Sequence, residues 1–381
     1  MSQSPIYLDY NATTPVHPDV LQSMLPFFSE KFGNASSKTH SWGWAAEAAV
    51  EKGREQLAAL IGAETNEIIF TSGATEAINL ALKGTFEIYR HQRDHIVTVT
   101  TEHKAVIDTC NQIEKLGARI TYIPVLADGM ISLDALQEAV TEKTLVVSVM
   151  MANNETGVVQ PMRDIATIAH QKGAFFFSDT TQAIGKLRID VDEEGIDLCC
   201  LSAHKFYGPK GIGALYARRK NPRVQLNPQL IGGGHENNRR SGTLNVPGIV
   251  GMGAAAELAL NNWWTDASRI SVLRTQLEQC LMDLGGITVN GNTKFRLPNT
   301  TNLCFHGHPS ATLIRKLSGL GIATGSACTS ALQEPSHVLR AMGINDEDAY
   351  SSLRFSLGKF TTEEEIEQTI KLIQQALEDV R

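Results

Sequence analysis

From about residue 45 to residue 217, short segments rich in β-forming residues alternate with longer segments of helical periodicity. Apolar runs that indicate buried strands fall at 67–70, 95–100, 119–123 and 145–149. Helical periods fall around them, at 44–60, 75–89, 104–116, 133–140 and 162–171. Because parallel strands need long crossovers, which are usually helices, this alternation predicts an α/β fold with a mainly parallel sheet covered by helices on both faces.

The alternation stops at a Gly-rich, Pro-bounded stretch that covers residues 228–248. A helix of small residues follows at roughly 247–260, and we expect it to carry the chain into a second domain. The last helix is predicted to begin with a capping box formed by Thr362 and Glu365 and to bury one apolar stripe. We therefore predict a large domain at 16–260 and a smaller domain formed by 1–15 and 261–381.

The composition argues against several classes of protein function. The 381 residues carry a formal charge of -7, which gives no basic footprint for direct binding of nucleic acid. The N-terminal segment lacks the regions of a signal peptide, and no apolar run approaches the roughly 18 residues of a membrane span. The six cysteines have no zinc-type spacing, and the pair His306 and His308 has no third ligand, so no metal site is predicted. A cytoplasmic protein that does not bind membranes is expected.

Two residues at predicted strand ends have the chemistry of a cofactor site. Lys205 closes the polar run 202–205, and Asp179 follows the apolar segment 174–178. In folds of this kind, ligands bind beyond the carboxyl ends of the strands. A lysine amine can hold the aldehyde of pyridoxal phosphate (PLP) as a Schiff base, and a carboxylate can keep the pyridine nitrogen protonated. Each residue alone is more often a surface lysine or an N-capping aspartate, but together they predict a PLP site.

Neighbouring segments have the residues to complete this site. Residues 71–76 lie between a strand and a helix, where N–H groups and the helix dipole suit a phosphate, although a plain N-cap explains them equally. Ser202 and His204 add donors for the same phosphate. His103 suits ring stacking and proton transfer, or is merely an exposed histidine. Cys328 lies among small polar residues and is either a reactive thiol or an incidental loop cysteine.

Short motifs extend the pattern along nearly the whole chain. They lie at 7–15, 70–76, 101–104, 152–157, 178–182, 202–213, 232–236, 240–243, 325–330 and 352–358. By these motifs the chain resembles the cysteine desulfurases of the NifS/IscS type, in the class V aminotransferase group of fold-type-I PLP enzymes. The resemblance implies a large PLP-binding domain with a mainly parallel, seven-stranded sheet. It also implies a smaller α+β domain that carries a catalytic cysteine loop.

The resemblance assigns roles around the cofactor. Lys205 is implied to form the Schiff base, Asp179 to pair with the pyridinium nitrogen, and Gln182 to hydrogen-bond the phenolic oxygen. His103 is implied to stack over the ring and to transfer protons. Thr243 matches a residue that reaches the phosphate from the partner subunit, which implies a homodimer. The remaining phosphate-binding positions match Ala74, Thr75, Ser202 and His204.

Other matches concern the substrate and the sulfur atom. Asn154 and Arg354 match groups that hold the carboxylate of L-cysteine, a task that suits a bidentate arginine. Cys328 matches the cysteine that receives sulfur. The implied reaction gives L-alanine and an enzyme-bound persulfide. Acceptor proteins would then take the sulfur for iron–sulfur cluster assembly, tRNA thiolation or DNA phosphorothioation.

Two alternatives stay open on the sequence alone. A selenocysteine lyase or another class V aminotransferase uses the same scaffold, although Cys328 in its small-residue loop argues against both. A non-catalytic scaffold protein of this fold is disfavoured because Lys205, Asp179 and Cys328 are all present. Since the sequence ends at Arg381, directly after the last helix, we expect a sulfur acceptor to dock mainly on the small domain around the Cys328 loop.

Overall fold

The computed structural model describes residues 5–324 and 335–379. None of the helices within these ranges is both long enough and apolar enough to cross a membrane. The strands are β1 (Ile6–Tyr7), β2 (Ile68–Thr71), β3 (His95–Val99), β4 (Arg119–Ile123), β5 (Thr144–Ser148), β6 (Phe175–Asp179), β7 (Leu198–Ser202), β8 (Gly213–Ala217), β9 (Ile287–Val289), β10 (Thr300–Phe305), β11 (Leu320–Gly321) and β12 (Ser352–Ser356). The helices are α1 (Pro18–Met24), α2 (Pro26–Ser29), α3 (Ser41–Ile61), α4 (Ala74–Tyr89), α5 (Lys104–Glu114), α6 (Leu133–Ala139), α7 (Met162–Gln171), α8 (Val246–Met282), α9 (Ser310–Lys316), α10 (His337–Ala341), α11 (Asp346–Tyr350) and α12 (Glu363–Glu378).

Seven of the strands form one sheet in the order β2-β8-β7-β6-β5-β3-β4. All neighbours pair in parallel except β8, which is antiparallel to both β2 and β7. The prediction of an α/β fold with a mainly parallel, seven-stranded sheet is thereby confirmed. β8 runs the other way because only residues 203–212 separate it from β7, and a crossover to a parallel strand needs a dozen or more residues.

Helices cover both faces of this sheet, and alternate side chains of each strand supply two separate cores. In β3, Val97 and Val99 belong to one core and Ile96 to the other, as the two-residue period of a strand requires. The long helix α3 illustrates how the flanking helices are delimited. The His40 side chain caps its first turn, and Gly62 ends it in a left-handed conformation with φ of 70°.

The remaining strands form two small sheets, an antiparallel one in the order β12-β10-β9 and a parallel pair of β1 and β11. They enclose a third apolar core together with α9, α12 and the second half of α8. The helix expected at roughly 247–260 is longer than predicted, because no proline interrupts it before it ends at Met282. Ile249 packs in a core of the large sheet and Leu277 in the small one, so the predicted domain boundary at residue 260 falls inside α8.

Candidate active site

A cavity of about 440 Å³ opens at the carboxyl ends of the central strands. β6 ends there at Asp179 and β7 ends there at Ser202. Arg354 and Thr243 do not line this cavity, and Cys328 lies outside the described residues. The predicted site residues that do line it are Ala74, Thr75, His103, Asn154, Asp179, Gln182, Ser202, His204 and Lys205.

Lys205 lies in a single 3-10 turn, Ala203–Lys205, directly after β7. Its Nζ donates hydrogen bonds to the backbone oxygens of Asn11 at 2.5 Å and Ala12 at 2.8 Å. The N-terminal segment therefore holds the amine at the wall of the cavity. Asn11 and Ala12 were not predicted to act here, since a carbonyl acceptor does not depend on residue type. Their segment was nevertheless among the sequence motifs.

Asp179 ends β6 with a carboxylate that is almost buried, the residue being 6% exposed. Its Oδ1 accepts hydrogen bonds from the backbone N of Thr181 at 2.9 Å and from the thiol of Cys200 at 3.2 Å. Both contacts fix the position of the carboxylate. Burial, and then the charge of Asp179, raise the pKa of Glu102 well above its usual range. Sequence reasoning missed Glu102, although it precedes His103 directly.

The N-terminus of α4 forms a cradle beside the cavity. Gly73 is its N-cap, so no side chain of the cap residue accepts from the first turn. A Cβ at Gly73 would meet only Ser202 Oγ, at 3.9 Å, which leaves the approach to the backbone open. The N–H groups of Ala74 and Thr75 begin the helix at this wall. Open N–H groups at the positive end of a helix suit a phosphate.

Neighbours set the charge of two side chains near this cradle. Arg240 Nε donates to Glu76 Oε1 at 2.7 Å and balances the carboxylate that would otherwise repel a phosphate. His204 Nδ1 lies 3.0 Å from Thr13 Oγ1. Burial, and then the charge of Lys205, lower the pKa of His204 to about 4. The ring is therefore neutral near pH 7 and acts as a hydrogen-bonding group rather than as a cation.

His103 precedes α5, and its ring lines the cavity. Nδ1 accepts a hydrogen bond from the backbone N of Ala105 at 3.1 Å. In a neutral imidazole one nitrogen accepts and the other carries the proton, so this contact places the proton of His103 on Nε2. This tautomer leaves Nε2–H as a hydrogen-bond donor.

Arg354 lies in β12 and is 2% exposed. Its Nη2 donates to Asp9 Oδ1 at 2.6 Å, and its Nη1 donates to the backbone O of Asn154 at 2.9 Å. Its Nε is buried and has no acceptor within the described part of the chain. Since Asn154 lines the cavity, Arg354 lies directly behind that residue.

Lys186 is a second lysine whose charge depends on the site. Burial, followed by the charges of Lys205 and Arg354, lowers the pKa of Lys186 to about 7. The sequence analysis had not identified this lysine.

Gln182 and Thr243 occupy very different positions. Gln182 lines the cavity and donates from Nε2 to the same backbone O of Asn11 that binds Lys205. Thr243 is exposed in the segment between β8 and α8. Its predicted contact with a cofactor in the partner subunit stays a prediction.

The geometry agrees with comparisons to known proteins. Residues 6–369 match the Aminotransferase class-V family model. The chain belongs to this family. A protein of Rickettsia massiliae described as cysteine desulfurase IscS is 48% identical over 99% of this chain and 92% of the relative. Another of that description, from Anaeromyxobacter sp., is 50% identical over 99% of this chain and 93% of the relative. A solved structure of a NifS-like protein has a TM-score of 0.92 and 38% identity, covering 98% of this chain and 99% of that one.

The match to this family, together with the cysteine desulfurase relatives, confirms the predictions of a PLP-dependent enzyme and of cysteine desulfurase activity. It also excludes the non-catalytic scaffold that the sequence had left open. The cavity fits PLP on its own chemistry. It offers an amine at Lys205, a buried carboxylate at Asp179 and an open helix N-terminus at Gly73.

Proposed function

We propose that Lys205 binds PLP in this cavity and that Cys328 receives the sulfur of L-cysteine as a persulfide. One observation carries the assignment of the cofactor site. The Lys205 amine, the Asp179 carboxylate and the start of α4 line a single cavity, although they are distant in sequence. An amine, an anion and a phosphate cradle match the aldehyde, the ring nitrogen and the phosphate of the cofactor.

Each side chain then has a defined task. PLP bound here supplies the electron sink that makes the Cα–H of the substrate acidic. Lys205, positioned by two backbone carbonyls, takes that proton. Arg354, held by Asp9 and by the backbone O of the cavity residue Asn154, binds the substrate carboxylate.

The sulfur step belongs to Cys328 and His103. The Cys328 thiolate attacks the sulfur of L-cysteine, so that a sulfur–sulfur bond forms and the bond between substrate sulfur and Cβ breaks. The electron pair left on carbon takes up a proton, and the product is L-alanine. His103, which lines the cavity, is the group that transfers the proton near this step.

The finer assignments form part of the same proposal. We infer a homodimer because Thr243 is exposed and does not line the PLP cavity of its own chain, which fits a contact with the partner's phosphate. A sulfur-acceptor protein takes the persulfide from Cys328. A cytoplasmic location completes the proposal, and fractionation of cells that produce the protein tests it.

Reduction with borohydride tests the assignment of Lys205. Borohydride reduces the Schiff base between PLP and the lysine amine to a stable bond. The wild-type holoenzyme should therefore yield a reduced PLP adduct that peptide mass mapping places on Lys205. Lys205→Ala should yield none, whereas Lys210→Ala, which alters another lysine of the same cavity, should keep the adduct on Lys205. An adduct of wild-type yield on Lys186 would overturn the assignment.

A further inference from the structure

Three ligand-type side chains converge at the small antiparallel sheet, outside the PLP cavity. Cys304 lies in β10, His306 in the turn that follows it, and Asp348 in α11. Cys304 Sγ is 3.6 Å from His306 Nδ1 and 3.5 Å from Asp348 Oδ1. His306 Nδ1 is 2.8 Å from the same Oδ1. The three atoms thus lie within 4.8 Å of one another, as the ligands of one metal ion do.

The separations suit tetrahedral zinc. Zinc–sulfur and zinc–nitrogen bonds at the tetrahedral angle place the two ligand atoms about 3.5 Å apart, and the nitrogen and oxygen ligands about 3.4 Å apart. Both distances to Cys304 Sγ already have this length. Only the His306 to Asp348 distance must widen, by about half an ångström. These two side chains are 44% and 30% exposed, so the solvent side leaves room for that shift and for the ion to enter.

The same geometry argues against a proton relay of nucleophile, base and acid. In such a relay the nucleophile contacts one ring nitrogen and the carboxylate contacts the other. Here Cys304 and Asp348 both approach Nδ1 of His306, while Nε2 lies 2.9 Å from Thr288 Oγ1. Cys304 and Asp348 therefore lie on the side of the ring where a metal bound to Nδ1 would lie.

Surrounding contacts orient the histidine and the carboxylate as they do in protein metal sites. The backbone N of His306 donates to Gly286 O at 3.0 Å, and Thr288 fixes the ring through Nε2. Asn345 Nδ2 donates to Asp348 Oδ2 at 2.9 Å, which leaves Oδ1 directed at Cys304. Metal-bound histidines and carboxylates regularly have such outer hydrogen bonds.

We propose that Cys304, His306 and Asp348 bind Zn²⁺, with water in the fourth position. On binding, the Cys304 thiol releases its proton to solvent, and the neutral His306 ring binds through Nδ1 while its Nε2–H donates to Thr288. A thiolate ligand favours zinc over magnesium or calcium. The sequence had predicted no metal site because Asp348 is 42 residues beyond His306, a spacing that belongs to no zinc motif.

Zinc titration of the chelator-treated holoenzyme tests the site. Calorimetry and elemental analysis should show one zinc ion bound per chain. This bound zinc should be lost in Cys304→Ser, His306→Asn and Asp348→Asn. Cys280→Ser and His91→Asn, matched controls outside the cluster, should retain it. Thr288→Val removes only the outer hydrogen bond and should weaken zinc binding roughly 10–100-fold.

Alkylation mapped to individual peptides separates this site from zinc bound elsewhere. Zinc should protect Cys304 from alkylation in the wild type and in a Cys328→Ser background, because the metal holds the thiolate. The proposal is overturned if zinc fails to protect Cys304, or if all three ligand variants keep the bound zinc. The protection assay uses unaltered Cys304, so it decides the matter even if a ligand variant does not fold.

Discussion

Replacing Asp9 by asparagine removes the charge that orients Arg354 while keeping the shape of the side chain. The two side chains meet at 2.6 Å, with Arg354 2% exposed and Asp9 18% exposed. Arg354 keeps its second bond, to the backbone O of Asn154, in the variant. The change therefore tests whether Asp9 positions Arg354 to bind the substrate carboxylate.

The expected size follows from the burial of the pair. Breaking a fully buried ion pair costs about 3–5 kcal/mol, and an exposed pair contributes about 0–1 kcal/mol. Asp9 is partly exposed and asparagine still offers an oxygen acceptor, so we expect a loss of about 2 kcal/mol, within the range of a charged hydrogen bond. If that loss falls on substrate binding, kcat/KM for L-cysteine drops about 30-fold, mostly through KM.

Steady-state kinetics with L-cysteine, together with the absorbance of bound PLP, checks this. Asp9→Asn should keep the cofactor and lose affinity for substrate, whereas Asp19→Asn, at an exposed carboxylate of the same N-terminal region, should match the wild type. The loss in Asp9→Asn should also be much smaller in an Arg354→Lys background, because the two residues act together. An unchanged KM in Asp9→Asn, or equal losses in both backgrounds, would refute the role.

Three further predictions concern sulfur transfer, assembly and pH. Cys328→Ser should bind L-cysteine but form no persulfide by mass spectrometry; undiminished alanine and sulfide production would contradict the role of Cys328. Thr243→Ala should release PLP more readily without unfolding, since one hydrogen bond to a charged group contributes about 1.5–3 kcal/mol, and sedimentation showing a fully active monomer would contradict the dimer. Burial, and then the charge of Arg119, lower the pKa of His95 from 6.5 to about 4. The unfolded chain therefore takes up the proton first, and stability should fall as pH drops from 6.5 towards 4. Unfolding curves of His95→Asn should show a weaker pH dependence, and an unchanged one would contradict this.

The features that the sequence could predict are those that repeat or that occur at strand ends. Alternating apolar periods predicted the sheet. Polar residues at the ends of β6 and β7 singled out Asp179 and Lys205, because parallel strands present their carboxyl ends at one edge. The antiparallel direction of β8 depends on the length of a single loop, which the periodicity does not contain. The sequence did not predict contacts between distant segments either. The carbonyl of Asn11 that binds Lys205 lies 194 residues away from it.

Charge states depend most strongly on the folded structure, and the buried groups around Asp179 show why. Glu102 Oε1 accepts from the backbone N of Met150 at 2.6 Å, while its Oε2 has no partner among the described residues, as suits a protonated acid. Burial, and then the charge of Asp179, raise the pKa of Glu102 and likewise that of the Cys200 thiol. The Cys200 thiol therefore keeps its proton near pH 7 and donates it to Asp179, as does the backbone N of Thr181. We propose that these two donors, which both bind Oδ1 of Asp179, position the carboxylate to pair with the pyridine nitrogen of PLP.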